Sequence, residues 1–169
     1  VDQSRSSKVV EQVLGEDFAG VLVSDCLSSY DPATYRKHKC IAHHLRAIEA
    51  ALRLEGTKDP SYLHQWKLLL KSVIVLHRLW EQKVLTDADI ATKRIAMEAW
   101  IDQLLAKNPI QCGDARIKNR LAKQRTHLLG CLLDVRVEPT NNRAERSLRP
   151  AVIARKLSCG NKTDRGRRS

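Results

Sequence analysis

The chain contains no apolar run long enough to cross a membrane and no basic, apolar, small-residue leader pattern, so nothing in it reads as an anchor or a secretory signal. Its cysteines, Cys26, Cys40, Cys112, Cys131 and Cys159, are odd in number and irregularly spaced, which argues against a disulfide framework and for a reducing compartment. A structural zinc site wants four ligands and usually a second closely spaced pair. Cys40, His43 and His44 have no such second pair, so packing or hydrogen bonding is the favoured role for Cys40 and His43. Internal repeats and low-complexity tracts are also absent. Only one methionine is present, Met97 in mid-chain, and the first residue is Val1; this suggests a fragment of a longer protein, although a non-standard start would look the same.

Positive charge, by contrast, is abundant. Within 169 residues, room for one ordinary domain or a small domain carrying a large insertion, the formal charge is +11. A polyanionic partner is the natural implication. Residues 141–169 hold nine Lys or Arg against two acids, so most of the excess sits at the C-terminal end. The basic stretch 161–169 has the composition of a solvated, disordered tail.

The segment PTNNRAERSLRP, residues 139–150, concentrates one carboxylate, two carboxamides and several arginines. Asn141 and Asn142 after a Pro-Thr pair signal a helix start, because Asn side chains accept from the unpaired amides of a first turn. Glu145 then has two readings. It can reach back to a backbone amide as part of an N-x-x-E capping box with Asn142. It can instead point sideways at a metal while Arg143, Arg146 and Arg149 offer forked donors to phosphate oxygens.

Upstream, residues 6–14 place Val9, Val10, Val13 and Leu14 on one helical face, with Gly15 as the stop. The run GVLVSD, residues 20–25, reads as a strand buried on both faces and ending in an acid. In α/β sheets ligands bind beyond the carboxyl ends of strands, which gives Asp25 a position suited to chemistry; an Asx-turn or a helix cap is the alternative. A second short strand is expected over residues 37–42. From His43 the pattern is helical, with Leu45, Ile48 and Leu52 forming a stripe before a break at residues 56–60. A longer stripe follows at Leu63, Trp66, Leu69, Leu70, Val73, Leu76 and Trp80. Thr86 restarts the chain as a cap; Ile90, Met97, Trp100, Ile101 and Leu104 carry the next face, and Leu121, Leu128, Leu129, Leu132 and Leu133 another. Trp66, Trp80 and Trp100 are packing residues on this reading, not platforms for nucleobases.

Three blocks, GVLVSDCLSSY, CIAHHLR and PTNNRAERSLRPAVIARK, occur in an order that resembles the DDE transposases of bacterial insertion sequences, specifically the insertion-sequence family numbered sixty-six. The resemblance runs from about residue 4 to Lys156, and the last block is its most specific part. It implies an α/β, RNase H-like fold, here incomplete for want of its first strands. A large all-helical insertion makes that fold mostly α by residue count. The implied divisions are a partial core over 1–42, an insertion over 43–134, a return to the core over 135–160 and the tail over 161–169.

By the same resemblance, Asp25 is similar to the second acid and Glu145 to the third of an Asp-Asp-Glu set that holds Mg²⁺ or Mn²⁺ for DNA cleavage and strand transfer. The first aspartate has no counterpart here, and Asp2 falls in the wrong place to supply it. Cys40 and His43 resemble a C-x-x-H element that supports the site together with Asn141 and Asn142. Arg143, Arg146, Arg149, Arg155 and Lys156 are expected along the DNA backbone. The implied partners are transposon-end and target DNA, with a homodimer or accessory transposition proteins open and no membrane; the implied location is the bacterial cytoplasm, on the nucleoid. The expected function is a transposase unit that is truncated and inactive alone. Its alternative is a non-catalytic DNA-binding remnant.

Overall fold

Apolar residues at three- and four-residue steps put Leu63, Trp66, Leu69, Leu70 and Val73 on one side of a helix, and that helix is the centre of the molecule. The structure is a computed structural model that describes residues 7–15, 17–26, 30–31, 35–54, 61–108 and 112–157. The side chains of residues 7, 9, 54, 112, 155 and 157 lie outside the description, as do the expected break at 56–60, Cys159 and the basic tail.

Four helices build the body. Two of them, α2 (Ile41–Leu54) and α4 (Asp87–Ala106), pack against α3 (Ser61–Glu81), and α5 (Cys112–Lys123) packs on α2. Leu63, Leu69, Leu70, Ile101, Leu104 and Leu121 are completely buried between them, each worth roughly 1.5–3 kcal/mol of transfer from water. Trp66 is buried in the same core, and Trp80 and Trp100 pack partly buried against it. Thr86 starts α4 with a full capping box, its hydroxyl accepting from the Asp89 amide while the Asp89 carboxylate accepts from the Thr86 amide. Lys83 closes α3 in the left-handed conformation (φ 58°), with Val84 N–H donating to Leu79 O.

The leucines from Leu121 to Leu133 do not share one helical face. The α-helix stops at Lys123, and two 3₁₀ turns, Arg125–His127 and Gly130–Leu132, carry the chain onward. Leu128, Leu129 and Leu132 are buried, whereas Leu133 is exposed. The second turn lies so close over a strand that a Cβ at Gly130 would stand 3.0 Å from His38 Cβ and 3.1 Å from the Lys37 carbonyl.

That strand is β2 (Arg36–Lys39), and it pairs in parallel with β1 (Val21–Ser24) in the register Val21↔Arg36 to Ser24↔Lys39. Before them, α1 (Ser7–Leu14) ends at Gly15, whose φ of 78° is the left-handed stop that glycine permits. Two expectations need correction. The β1 strand is not buried on both faces: only Ser24 is buried while Val21, Leu22 and Val23 are half-buried, since the described sheet has two strands and a free edge. The second strand ends at Lys39, not at residue 42, because Ile41 already begins α2. Its sequence RKHK has no apolar alternation, yet His38 and Lys39 are fully buried. The last helix, α6 (Asn142–Leu157), returns to this sheet by its first turn. The described fold is thus mostly helical with a small parallel sheet, and no helix among the described residues is long and apolar enough to cross a membrane.

Candidate functional site

The junction between β2 and α2 anchors the start of α6. Cys40 N–H donates to Ser24 O (2.8 Å), which ties the end of β2 to the end of β1. Ile41 N–H donates to Pro139 O at 3.0 Å, and His38 Nε2 reaches the same carbonyl at 3.2 Å. Asn141 N–H then donates to Cys40 Sγ at 3.3 Å. These contacts fix residues 139–141 across the strand ends, and α6 departs from there.

The first turn of α6 differs from the sequence expectation by one residue. Asn141 caps the helix through its backbone carbonyl, which accepts from Glu145 N–H at 3.0 Å; its side-chain Oδ1 is buried without a partner, and Asn142 is already inside the helix. The expected carboxamide caps are therefore not what starts this helix. With Asn141 in the cap position, Ala144 occupies the third position, so the N-x-x-E capping box is out of register. The Glu145 carboxylate turns instead to α2, with Oε1 3.6 Å from His43 Nε2 and 3.8 Å from an Arg46 terminal nitrogen.

Asp25 follows β1 directly. Its carbonyl accepts from the Ser24 hydroxyl (3.1 Å) and from Lys39 Nζ (3.2 Å). The Lys39 side chain is wholly buried, and its ammonium also meets Asp31 Oδ1 at 3.2 Å and lies over the Tyr30 ring. Asp31 takes Lys123 at 3.0 Å and Gln124 Nε2 at 3.3 Å as well. Burial works to raise its pKa, but hydrogen bonds from Lys123, Gln124 and Lys39 prevail and hold it at about 2.

His43, in the first turn of α2, faces Glu145. Burial, then the neighbouring Arg46 charge, lowers its pKa below the ordinary value, while Glu145 and Asp25 oppose that shift. The Cys40, His43, His44 cluster divides its attention: Cys40 holds Asn141, His43 faces Glu145, and His44 sits 3.4 Å by its Nε2 from Cys26 Sγ. Burial drives the His44 pKa down to about 3 and pushes the Cys26 thiol up. No group of three or more His, Cys, Asp or Glu side chains arranged to hold a metal ion occurs among the described residues.

Beyond its first turn α6 is exposed at every described position. Arg149 and Lys156 follow Glu145 at four and eleven residues and share its face. Arg143 points elsewhere and pairs with Glu138 at 3.1 Å. Arg146 is exposed, and Arg155 lies in the helix with its side chain outside the description. A shallow cleft of about 200 Å³ between β1 and this helix start is lined by Val23, Arg136, Glu138, Asn141 and Arg143.

Sequence reasoning missed Lys39, Asp31 and Arg46. Arg46 alone had a legible signal, since it stands one helical turn beyond His43.

A small parallel sheet with an acid after its first strand, and an exposed basic helix whose glutamate faces a histidine, define a class: a helical domain with a cationic arm. The family model described as Transposase IS66 family matches residues 1–169, and the chain belongs to that family. No curated protein and no solved structure matches it.

Proposed function

We propose that the chain is part of a DDE-type transposase catalytic unit of RNase H-like ancestry, with Asp25 and Glu145 as two of its metal-holding acids and DNA as its substrate. What supports this reading is the anchoring of α6 across the ends of both strands, where Glu145 Oε1 comes within 3.6 Å of His43 Nε2 and Asp25 follows β1 directly. The donor set fits a hard divalent cation such as Mg²⁺ or Mn²⁺ in kind, since carboxylate oxygens are what such ions prefer. It falls short in number, because no group of three or more such side chains is arranged to hold a metal among the described residues. When bound, the metal would polarise the phosphodiester and activate the attacking oxygen.

The chain's own residues do the rest. Cys40 and the Pro139 carbonyl contacts fix where α6 begins, and the Glu145 carboxylate is presented to the start of α2. His43, 3.6 Å away, orients that carboxylate. Arg149 and Lys156, with Arg146 beside them, would neutralise backbone phosphates along the exposed helix without reading sequence. With an acid short of the set, the proposal includes that this chain does not cleave DNA by itself. The shortfall in carboxylates also favours one second reading, a non-catalytic DNA-binding remnant.

The test is DNA binding by the full chain, followed by anisotropy of a labelled duplex across a salt series with and without Ca²⁺ as a non-cleaving divalent ion. The catalytic-unit reading expects salt-sensitive binding strengthened by Ca²⁺ in the native chain but not in Asp25→Asn or Glu145→Gln. Binding indifferent to the ion would favour the remnant. No binding at moderate salt would contradict both and leave a helical interaction module with a solvating basic end.

A further inference from the structure

We infer that Lys39 is a positioning residue for Asp25: its buried ammonium holds the peptide that follows the acid and ties it, through Asp31, to the C-terminal end of α5. This rests on the proposed function above, in which Asp25 holds a metal. The ladder between β1 and β2 stops at Ser24↔Lys39, so strand pairing alone does not reach past Asp25. The two residues at the end of β2 extend it. Ser24 O, the carbonyl of the peptide before Asp25, accepts from Cys40 N–H at 2.8 Å. Asp25 O, the carbonyl of the peptide after it, accepts from Lys39 Nζ at 3.2 Å and from the Ser24 hydroxyl at 3.1 Å. Because each peptide group is planar, clamping both planes beside one Cα fixes its two soft dihedrals and, with them, the direction of its Cα–Cβ bond. The Asp25 side chain is thereby set at its root.

Lys39 is in turn held from the helical body. Its side chain is wholly buried, its ammonium meets Asp31 Oδ1 at 3.2 Å and lies 5.7 Å from the centre of the Tyr30 ring. Asp31 also takes Lys123, the last residue of α5, at 3.0 Å and Gln124 Nε2 at 3.3 Å. Stability is a poor account of this arrangement, since replacing a buried ion pair by apolar side chains is often neutral or stabilising. What an apolar residue could not supply is the donor to the Asp25 carbonyl.

The experiment titrates Mn²⁺ alone into the full chain and follows free Mn²⁺ by electron paramagnetic resonance, for the native protein, Lys39→Met, Lys39→Arg and, as a control weakened elsewhere, Leu69→Ala. Lys39→Met should bind Mn²⁺ roughly tenfold more weakly or worse, and Lys39→Arg, which keeps a cationic donor, should recover part of the loss. Leu69→Ala should lose more in urea midpoint than Lys39→Met and yet keep the native affinity, which separates positioning from mere support of the fold. The ¹³C carbonyl signal of Asp25 should move in Lys39→Met as its hydrogen bond is lost. Native Mn²⁺ affinity in folded Lys39→Met would overturn this inference and leave the proposed function standing. No Mn²⁺ binding by the native chain would overturn the two together. Should Lys39→Met fail to fold, Asp31→Asn takes its place: a several-fold loss of affinity is expected, and native affinity there would equally overturn the inference.

Discussion

Helices α3 and α6 are of similar kind in sequence, each carrying apolar and basic residues, yet they occupy opposite situations. The α3 helix buries Leu63, Trp66, Leu69, Leu70 and Val73 completely, whereas Leu148, Val152 and Ile153 of α6 are exposed at 61%, 41% and 49%. In α3 the pattern is accounted for by packing. In α6 it is not, and the helix is held by its first turn through Cys40, Asn141 and Glu145. The side chains of a helix that contributes nothing to the core must be explained by what lies outside the core. That contrast is the physical reason for reading the cations and the carboxylate of α6 as an interaction surface.

The largest effect should come from breaking the α3 side. Leu69→Ala is expected to cost about 2–5 kcal/mol in urea unfolding, because it opens a cavity at a completely buried position. Leu148→Ala, the matching change on α6, should stay within about 0.5 kcal/mol. Equal losses at both sites would erase the distinction.

Acid should act on the sheet end and spare α6. Burial holds the pKa of His38 at about 4 and that of His44 at about 3, against an ordinary value of 6.5. Between pH 6.5 and about 4 the unfolded chain therefore binds more protons than the folded one. Stability is fully present above pH 6.5 and falls as the solution is acidified, at up to about 1.4 kcal/mol per pH unit for each histidine. Asp31, held at about 2, extends the loss below its ordinary 3.8. Urea midpoints across this range should drop, and His44→Gln should flatten the drop.

A smaller effect tests the anchor. Removing the Asn141–Cys40 hydrogen bond with Cys40→Ala should cost on the order of 1 kcal/mol and should speed amide exchange at Asn141 more than at Leu69. Unchanged exchange at Asn141 would mean that α6 is held by something else. The smallest change concerns the cations of α6. Arg149→Ala should lower the salt slope of DNA binding by about one for all sequences alike, and Arg143→Ala by less, since Glu138 already neutralises part of its charge. A loss confined to one DNA sequence would contradict backbone neutralisation.

What was legible in the chain follows the same division. The stripes of α3 and α4 and the Thr86 cap announce themselves because helical period and capping chemistry are local properties of sequence. Helix α6 was legible as a helix but not in its cap, since whether Asn141 or Asn142 begins it depends on where Cys40 and Pro139 fix the chain, a hundred residues apart. The buried Lys39 was illegible for a related reason: a polar strand RKHK becomes an interior one only when Asp31 and the Asp25 carbonyl receive the ammonium. Sequence nominated Asp25, Glu145, Cys40 and His43 as candidates; the groups that contact them, such as Lys39 at the Asp25 carbonyl and Arg46 at Glu145, emerged from the fold.

Paramagnetic Mn²⁺ probes the proposed divalent-cation pocket of Asp25 and Glu145 without recourse to DNA. Titrated into the ¹⁵N-labelled full chain, Mn²⁺ should broaden the amide signals around Asp25, His43 and Glu145 together at low occupancy, and either Asp25→Asn or Glu145→Gln should abolish the broadening at all three. Broadening at one acid alone, or elsewhere in the molecule with both acids untouched, would contradict it.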